Sequence, residues 1–303
     1  MNLRDLRYVV AVCDQRHFGR AAETCHVSQP ALSGQIRKLE DDLGVALFER
    51  TNRAVYVTPV GEAIVAQARQ VLALADEIVE TARAAKDPLS GEFSLGMIQT
   101  IGPYLSPLVL STIREELPDL SLTLMEGQTA DLENRMANGE LDGAVLATVP
   151  DDPRLREIAL YDEPFWIALS QGHPLAGREA IDLGDLRNEE LLLLADGHCL
   201  RDQVLDACHA ATGTTEANTR HTSLETLLAL AAAGDGVTLM PALSKLRRDS
   251  LGRAIVLRPE ASGSAGRTVR LACRKTFPRT ELVERLAAII RAGVPRDLVT
   301  VLD

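Results

Sequence analysis

The sequence predicts three parts in series: a helical N-terminal unit closing on a short β stretch, a long helix, and an alternating α/β body. Three observations carry this. The 303 residues are more than one hydrophobic core comfortably fills. From Gly61 to Lys86 the chain has no proline and no internal glycine. Beyond Asp87-Pro-Leu-Ser-Gly91, strand and helix patterns alternate, as in a parallel sheet covered by helices.

Within residues 1–60, three short helical patterns precede the β-rich run Arg53-Ala-Val-Tyr-Val-Thr58, and Pro59 and Gly61 punctuate its exit. In the following helix Ile64, Ala68, Val71, Ala75, Ile78 and Ala82 keep a four-three spacing, the seam of a coiled coil. Val65, Leu72 and Val79 widen that stripe, so a helix lying on its own domain competes with a dimerising linker of roughly 40 Å. The body opens with a βαβαβ unit: strand Phe93–Gln99, helix Pro103–Glu116, strand Leu120–Glu126, helix Asp131–Asn138 and strand Leu141–Ala147. A second unit runs through strands Phe165–Ser170 and Leu191–Ala195, helices near Leu200–Ala210 and Leu224–Ala233, and strand Val237–Met240. Arg267–Cys273 reads as a further strand, and Pro278 as the opening of a last helix to about Arg291. Two lobes joined by crossing strands place a cleft between them, where ligands sit.

Composition narrows the function classes. Apolar residues at 46% and charged residues at 25% are ordinary for a folded protein. Aromatics at 3% argue against a base-stacking single-strand binder. The longest apolar run, Leu227 to Ala233, is far short of a membrane span, and Arg4, Asp5 and Arg7 precede any apolar stretch. The expectation is a cytoplasmic chain with no membrane partner. Five scattered cysteines in that compartment are no structural disulfide framework.

The net charge of -11 argues, chain-wide, against nucleic acid. Locally it does not. Residues 1–60 carry +1 and the remainder -12, and residues 16–38 alone carry +3. There Phe18 to His26 forms a short helix with small Ala21 and Ala22, Val27 turns the chain, and Ser28 caps the next helix with Pro30 in its first turn. On that helix Leu32, Ile36, Leu39 and Leu43 share one face. Pro30, Ser33, Gly34, Arg37 and Lys38 share the other, with Gln29 at its tip. A small, polar, basic face fits a major groove, where Gln pairs with adenine and Arg with guanine. Arg50 and Arg53 fall in a hairpin suited to a wing on the sugar-phosphate backbone. A helical hairpin with a solvated basic face is the structural alternative.

The second concentration of chemistry is Asp196-Gly-His-Cys-Leu-Arg-Asp-Gln-Val-Leu-Asp-Ala-Cys208. Cys199 lies between His198 and Arg201 near a helix start, a setting that favours thiolate. In one continuous helix Cys199 and Cys208 lie about 13.5 Å apart along the axis, on opposite faces. A disulfide tolerates Cα separations to about 7 Å, so bonding them requires unwinding. His198, Cys199, Cys208 and His209 also raise a metal site, but paired zinc ligands usually leave about two to four residues between them. Cys13, Cys25 and Cys273 read as small apolar packing residues.

Two resemblances follow from these residues. Ala21-Ala-Glu-Thr-Cys-His-Val-Ser-Gln-Pro-Ala-Leu-Ser-Gly-Gln-Ile-Arg-Lys-Leu-Glu40, Leu43-Gly44, Leu47-Phe-Glu-Arg50 and Thr58-Pro-Val-Gly61 resemble the LysR-type transcriptional regulators. That resemblance runs the whole chain. It implies an α+β winged helix-turn-helix domain over 1–60, a dimerising linker helix over 61–87, and a two-lobed periplasmic-binding-protein-like effector domain over 91–303. Lobe I would take about 91–161 and 268–303, lobe II about 162–267. The cysteine segment, with Met97 to Leu105, Glu126-Gly-Gln-Thr129, Thr222-Ser-Leu-Glu-Thr-Leu227 and Pro241-Ala-Leu243, resembles the peroxide-sensing branch of that family.

This second resemblance implies that Cys199 reacts with peroxide and Cys208 resolves it, with Thr100, Thr129, His198 and Asp202 in the pocket. Arg201 and Arg267 are further pocket cations. A histidine often found a few residues before the Thr-Ser-Leu-Glu-Thr run is here Asn218, with His221 nearer, which implies altered proton traffic. The partners implied are double-stranded promoter DNA, RNA polymerase, hydrogen peroxide, a cytosolic thiol reductant and further copies in a homo-dimer or homo-tetramer, with no cofactor and no metal. Two other classes compete: a regulator taking a small-molecule co-inducer with incidental cysteines, and a thiol peroxidase, for which a DNA-reading helix has no use.

Overall fold

A computed structural model describes residues 1–50, 55–212, 219–221, 223–250 and 254–303. The chain divides into a smaller unit, Met1–Lys86 with Ala137–Glu140, and a larger one, Asp87–Met136 with Leu141–Asp303.

In the N-terminal unit α1 (Leu3–Gln15), α2 (Phe18–Thr24) and α3 (Gln29–Leu43) precede strands β1 (Phe48–Arg50) and β2 (Val55–Val57) and the long α4 (Pro59–Ala84). Each helix start has its own cap. Asn2 and Asp5 form a reciprocal capping box on α1, His17 Nδ1 accepts the Gly19 and Arg20 amides on α2, and Ser28 Oγ accepts the Ala31 amide on α3. The small Ala21 and Ala22 let α2 close on a core of Val9, Val12, Leu32, Ile36, Leu39, Leu47 and Phe48. Two expectations shift slightly. Leu43 is exposed, because α3 outruns the core by its last turn. The left-handed turn residue is His26, φ 53°, rather than Val27. The Glu40 carboxylate accepts the Leu47 and Phe48 amides at 2.8 and 3.2 Å, tying the antiparallel β1–β2 hairpin to α3.

The α4 stripe splits in two. Val65 and Ala68 are buried against the core, whereas Val71, Leu74, Ile78 and Val79 are exposed, Ile78 at 72%. The first turns therefore belong to the domain, and an apolar row of later turns faces solvent. Among the described residues no helix is long and apolar enough to cross a membrane.

The larger unit opens as expected: β3 (Gly91–Ile98), α5 (Gly102–Glu116), β4 (Leu120–Gly127), α6 (Thr129–Ala137) and β5 (Gly143–Leu146). β3 runs parallel to both β4 and β5. The next strand, β6 (Leu155–Ser170), starts ten residues before the expected Phe165, because Arg156, Glu157, Asp162 and Glu163 break the apolar pattern of its first half. It is followed by β7 (Leu192–Leu194), α7 (Cys199–Thr212), β8 (Thr219–His221), α8 (Leu224–Ala233), β9 (Thr238–Pro241) and β10 (Ile255–Pro259). Strand β11 (Gly266–Arg274), α9 (Thr280–Gly293) and β12 (Thr300–Val301) complete the chain. Pro278 lies two residues outside α9, whose cap is Arg279.

Strand β6 serves two lobes. Its N-terminal part pairs antiparallel with β11, which pairs with β5 in the first lobe; its C-terminal part pairs with β9 and β10 in the second. The crossing strands are thus β6 and β11, facing each other at Glu163 and Arg267. This crossing places the end of β3 and the start of α7 on a shared cleft, where the cysteine segment sits.

Candidate redox switch and DNA-reading face

The cleft site is built from four element ends. Ile98, Gln99 and Thr100 come from the end of β3, Gly127, Gln128 and Thr129 from the β4–α6 junction, and Gly197, His198 and Cys199 from the entry to α7. Gly197 has φ 92°, a left-handed conformation that costs glycine little and aims the chain into the helix. The cavity is small, about 10 Å³, room for one molecule of water size. Thr129 Oγ1 is buried there without a hydrogen-bond partner, an orphaned polar atom that an incoming small polar molecule would satisfy. An adjoining cavity of about 150 Å³ shares Gln99, Thr100 and His198 and extends to Glu126, Ser223 and Glu225.

Cys199 is half-buried and is the first residue of α7, at the positive end of the helix dipole. The expected cationic neighbours turn out differently. His198 is buried, and desolvation lowers its pKa, so near neutrality it is an uncharged hydrogen-bonding group. Arg201 pairs with Asp196 at 3.2 Å and with Asp202 at 3.1 Å, which offsets its charge. Asp202 thereby points along the helix surface, 68% exposed, and lines neither cavity. Arg267 reaches the site through Thr100, donating from Nη1 to its hydroxyl at 2.8 Å and from Nη2 to its carbonyl at 3.0 Å.

Cys208 lies in the same continuous helix, so the two thiols occupy opposite faces about 13.5 Å apart along the axis. It is buried in the apolar core with Leu200 and Val204, and burial pushes its thiol up to about 11. All five cysteines are free thiols, and burial likewise raises those of Cys13, Cys25 and Cys273. Asn218 lies outside the described residues.

On the N-terminal unit, Ser28, Gln29, Pro30, Gly34, Arg37 and Lys38 are exposed along one face of α3, and Ser33 is half-buried between them. A Cβ built on Gly34 meets nothing within 4 Å, so this stretch of helix surface is open to close approach. Arg50 ends β1, and Arg53 lies outside the described residues.

Sequence reasoning missed Gln99, Gln128 and Gly197, which carry no distinctive spacing. It also missed Glu163, whose signal was available: with Tyr161 and Phe165 it occupies the inward register of β6, where a carboxylate is out of place. The raised Cys208 thiol sets a pH dependence. Unfolding frees it to ionise near its ordinary value of 9, so its stabilisation is complete below pH 9 and is lost as pH climbs towards 11. Melting curves of the reduced protein should therefore fall over that interval by about 3 kcal/mol more in the parent than in Cys208→Ala. Parallel curves for the two proteins would contradict the burial.

Comparison with known proteins agrees with this construction. Residues 3–62 match the family described as bacterial regulatory helix-turn-helix protein, lysR family, and residues 86–295 match the LysR substrate binding domain. The DNA-binding transcriptional dual regulator OxyR of Escherichia coli K12 is 44% identical over 295 residues, covering 96% of this chain and 95% of that protein. Full-length OxyR of Pseudomonas aeruginosa, solved as a cysteine-to-aspartate variant, superposes with a TM-score of 0.83 at 40% identity, over 99% of this chain and 98% of that one. An H2O2-bound OxyR mutant of Corynebacterium glutamicum superposes with a TM-score of 0.64 at 36% identity, over 96% and 92% of the two chains. From its helix-turn-helix to its two-lobed domain, the chain belongs to the LysR family of bacterial regulators, in the OxyR branch.

Proposed function

We propose that this protein is a hydrogen-peroxide-sensing transcription regulator, an activator of oxidative-stress genes, switched by a reversible Cys199–Cys208 disulfide. The observation that carries the proposal is the placement of Cys199: a helix-opening thiol on a small cavity lined also by Thr100, Thr129 and His198, sharing its helix with the buried Cys208. The Cys199 thiolate attacks one peroxide oxygen. The S–O bond forms as the O–O bond breaks, giving a sulfenic acid and a hydroxide that leaves as water after taking a proton. Hydroxyl donors at Thr100 and Thr129, and neutral His198, stabilise the leaving oxygen. Arg267 sets the Thr100 side, while Arg201 and Asp202 act at the helix surface. Cys208 then attacks the sulfenic sulfur once α7 has unwound, releasing water and closing the disulfide. A cytosolic thiol reductant restores the dithiol.

The output is DNA binding. Gln29, Ser33, Gly34, Arg37 and Lys38 enter the major groove of double-stranded promoter DNA, with Ser28 and Pro30 at the helix start and Arg50 and Arg53 on the backbone. The exposed row Val71, Leu74, Ile78 and Val79 pairs with a second copy, making a homo-dimer that can assemble to a homo-tetramer. Remodelling of the effector domain re-spaces the reading helices and presents the protein to RNA polymerase. The protein works as a regulator in the cytoplasm, not as an enzyme, and needs no cofactor or metal.

Stoichiometric peroxide should remove two hydrogens from the intact mass, mapped to Cys199 and Cys208. An unchanged mass, together with Cys208→Ser responding normally in footprinting, would overturn the switch. Arg37→Ala should weaken promoter binding by about 1–3 kcal/mol and relax specificity at one base pair, whereas a phosphate contact would weaken all sequences alike. Binding should also weaken steeply with salt; a salt-independent footprint contradicts the assignment of the N-terminal face.

A further inference from the structure

Beneath Thr100, at the crossing of β6 and β11, lies a buried ion pair of which the switch as described uses only Arg267. The Arg267 and Glu163 side chains are 0% and 1% exposed. Arg267 donates from Nε at 2.9 Å and from Nη2 at 2.8 Å to one oxygen of Glu163. The other Glu163 oxygen accepts the backbone amide of Leu243, just past β9 in the second lobe, at 2.8 Å. With both oxygens engaged from different elements, the carboxylate is fixed in rotation, and the guanidinium with it. What remains of Arg267 is directed at Thr100, Nη1 to the hydroxyl and Nη2 to the carbonyl.

This arrangement dictates the polarity of the Thr100 hydroxyl. A guanidinium offers only donors, so its N–H occupies a lone pair on Thr100 Oγ1 and repels the hydroxyl hydrogen. The residue's own carbonyl is already taken by Nη2. The hydrogen is left to point away from Arg267, and Thr100 lines both cavities. A threonine hydroxyl is ordinarily ambivalent, donor or acceptor by turns; here Arg267 takes one acceptor site and turns the hydrogen away from itself, free to donate elsewhere. Peroxide cleavage needs such a donor, because the oxygen that leaves accumulates negative charge as the S–O bond forms and the O–O bond breaks.

Resting on the peroxide-sensor reading, we propose that Glu163 is a positioning residue for the reaction of Cys199. By clamping Arg267 across the strand crossing, it holds the Thr100 hydroxyl as a hydrogen-bond donor to the departing oxygen of peroxide. Glu163 has a second effect in the same geometry. It balances the Arg267 charge, so that Arg267 contributes orientation to the pocket rather than an unpaired cation.

The test is a double-mutant cycle on the full-length reduced protein, with two readouts. Disulfide formation with hydrogen peroxide reports the oxygen-transfer step. Alkylation of Cys199 by iodoacetamide reports an open pocket and an available thiolate, and needs no donor to a leaving oxygen. Glu163→Gln should slow peroxide oxidation by about tenfold or more while alkylation is no slower than in the parent. In a Thr100→Val background, adding Glu163→Gln should change the peroxide rate by less than about twofold, because the group it acts through is gone. Where Glu163→Gln fails to fold by circular dichroism, Glu163→Asp enters the same cycle, keeping the charge and withdrawing the carboxylate. A parent-like peroxide rate in the folded variant overturns the proposal. So does alkylation that falls in step with oxidation, or effects of the two substitutions that multiply independently. Failure of the parent itself to form the disulfide would overturn the sensor reading instead.

Discussion

Cys199 and Cys208 lie nine positions apart on one helix, and the proposed switch depends on that spacing. As long as α7 is intact, Cys199 faces the cleft and Cys208 faces the core, too far apart and too badly oriented to bond. The helix and the disulfide therefore exclude one another. Breaking the helix also removes Leu200, Val204 and Cys208 from the apolar core, at about 1.5–3 kcal/mol for each large side chain fully exposed. The proposed disulfide would give this segment a second, discrete packing, which is what a switch requires. The signal has a physical route out of the helix as well. Gln203 donates from Nε2 to the Ala147 carbonyl at the end of β5 at 2.7 Å, so α7 holds the first lobe directly. Unwinding α7 releases that contact.

The electrostatics of the site are quieter than its residue names imply. Histidine and arginine beside a cysteine read as two cations in the sequence. In the fold the imidazole is buried and neutral, and the guanidinium is neutralised by carboxylates on either side of it. What α7 supplies at Cys199 is the positive end of its dipole. On the proposed mechanism, hydroxyl donors rather than cations assist the break in the oxidant, and one of them, Thr100, is anchored by the Arg267–Glu163 pair of the crossing strands.

The two ends of the chain differed in how legible they were. The reading helix was visible because its determinants are local: the Ser28 cap, the Leu32, Ile36 and Leu39 stripe, and the polar face opposite. The βαβαβ start of the effector domain was equally plain, since fully buried parallel strands are continuous apolar runs. Strand β6 was legible only in its second half. Its first half crosses between lobes and carries charges whose partners lie on β11, some hundred residues away, so no local pattern marks it. The cleft was legible in Cys199 and its threonines but not in Gln99, Gln128 or Glu163, which become site residues only through contacts between distant segments. The total charge misled until it was divided along the chain.

If helix α7 and the Cys199–Cys208 bond cannot coexist, amide hydrogen exchange across residues 199–212 before and after stoichiometric peroxide will show it. Exchange should be slow throughout this segment in the dithiol form and lose that protection once the disulfide has formed, with α1 to α3 unchanged. Retained protection between Cys199 and Cys208 in protein whose mass shows the disulfide would contradict it.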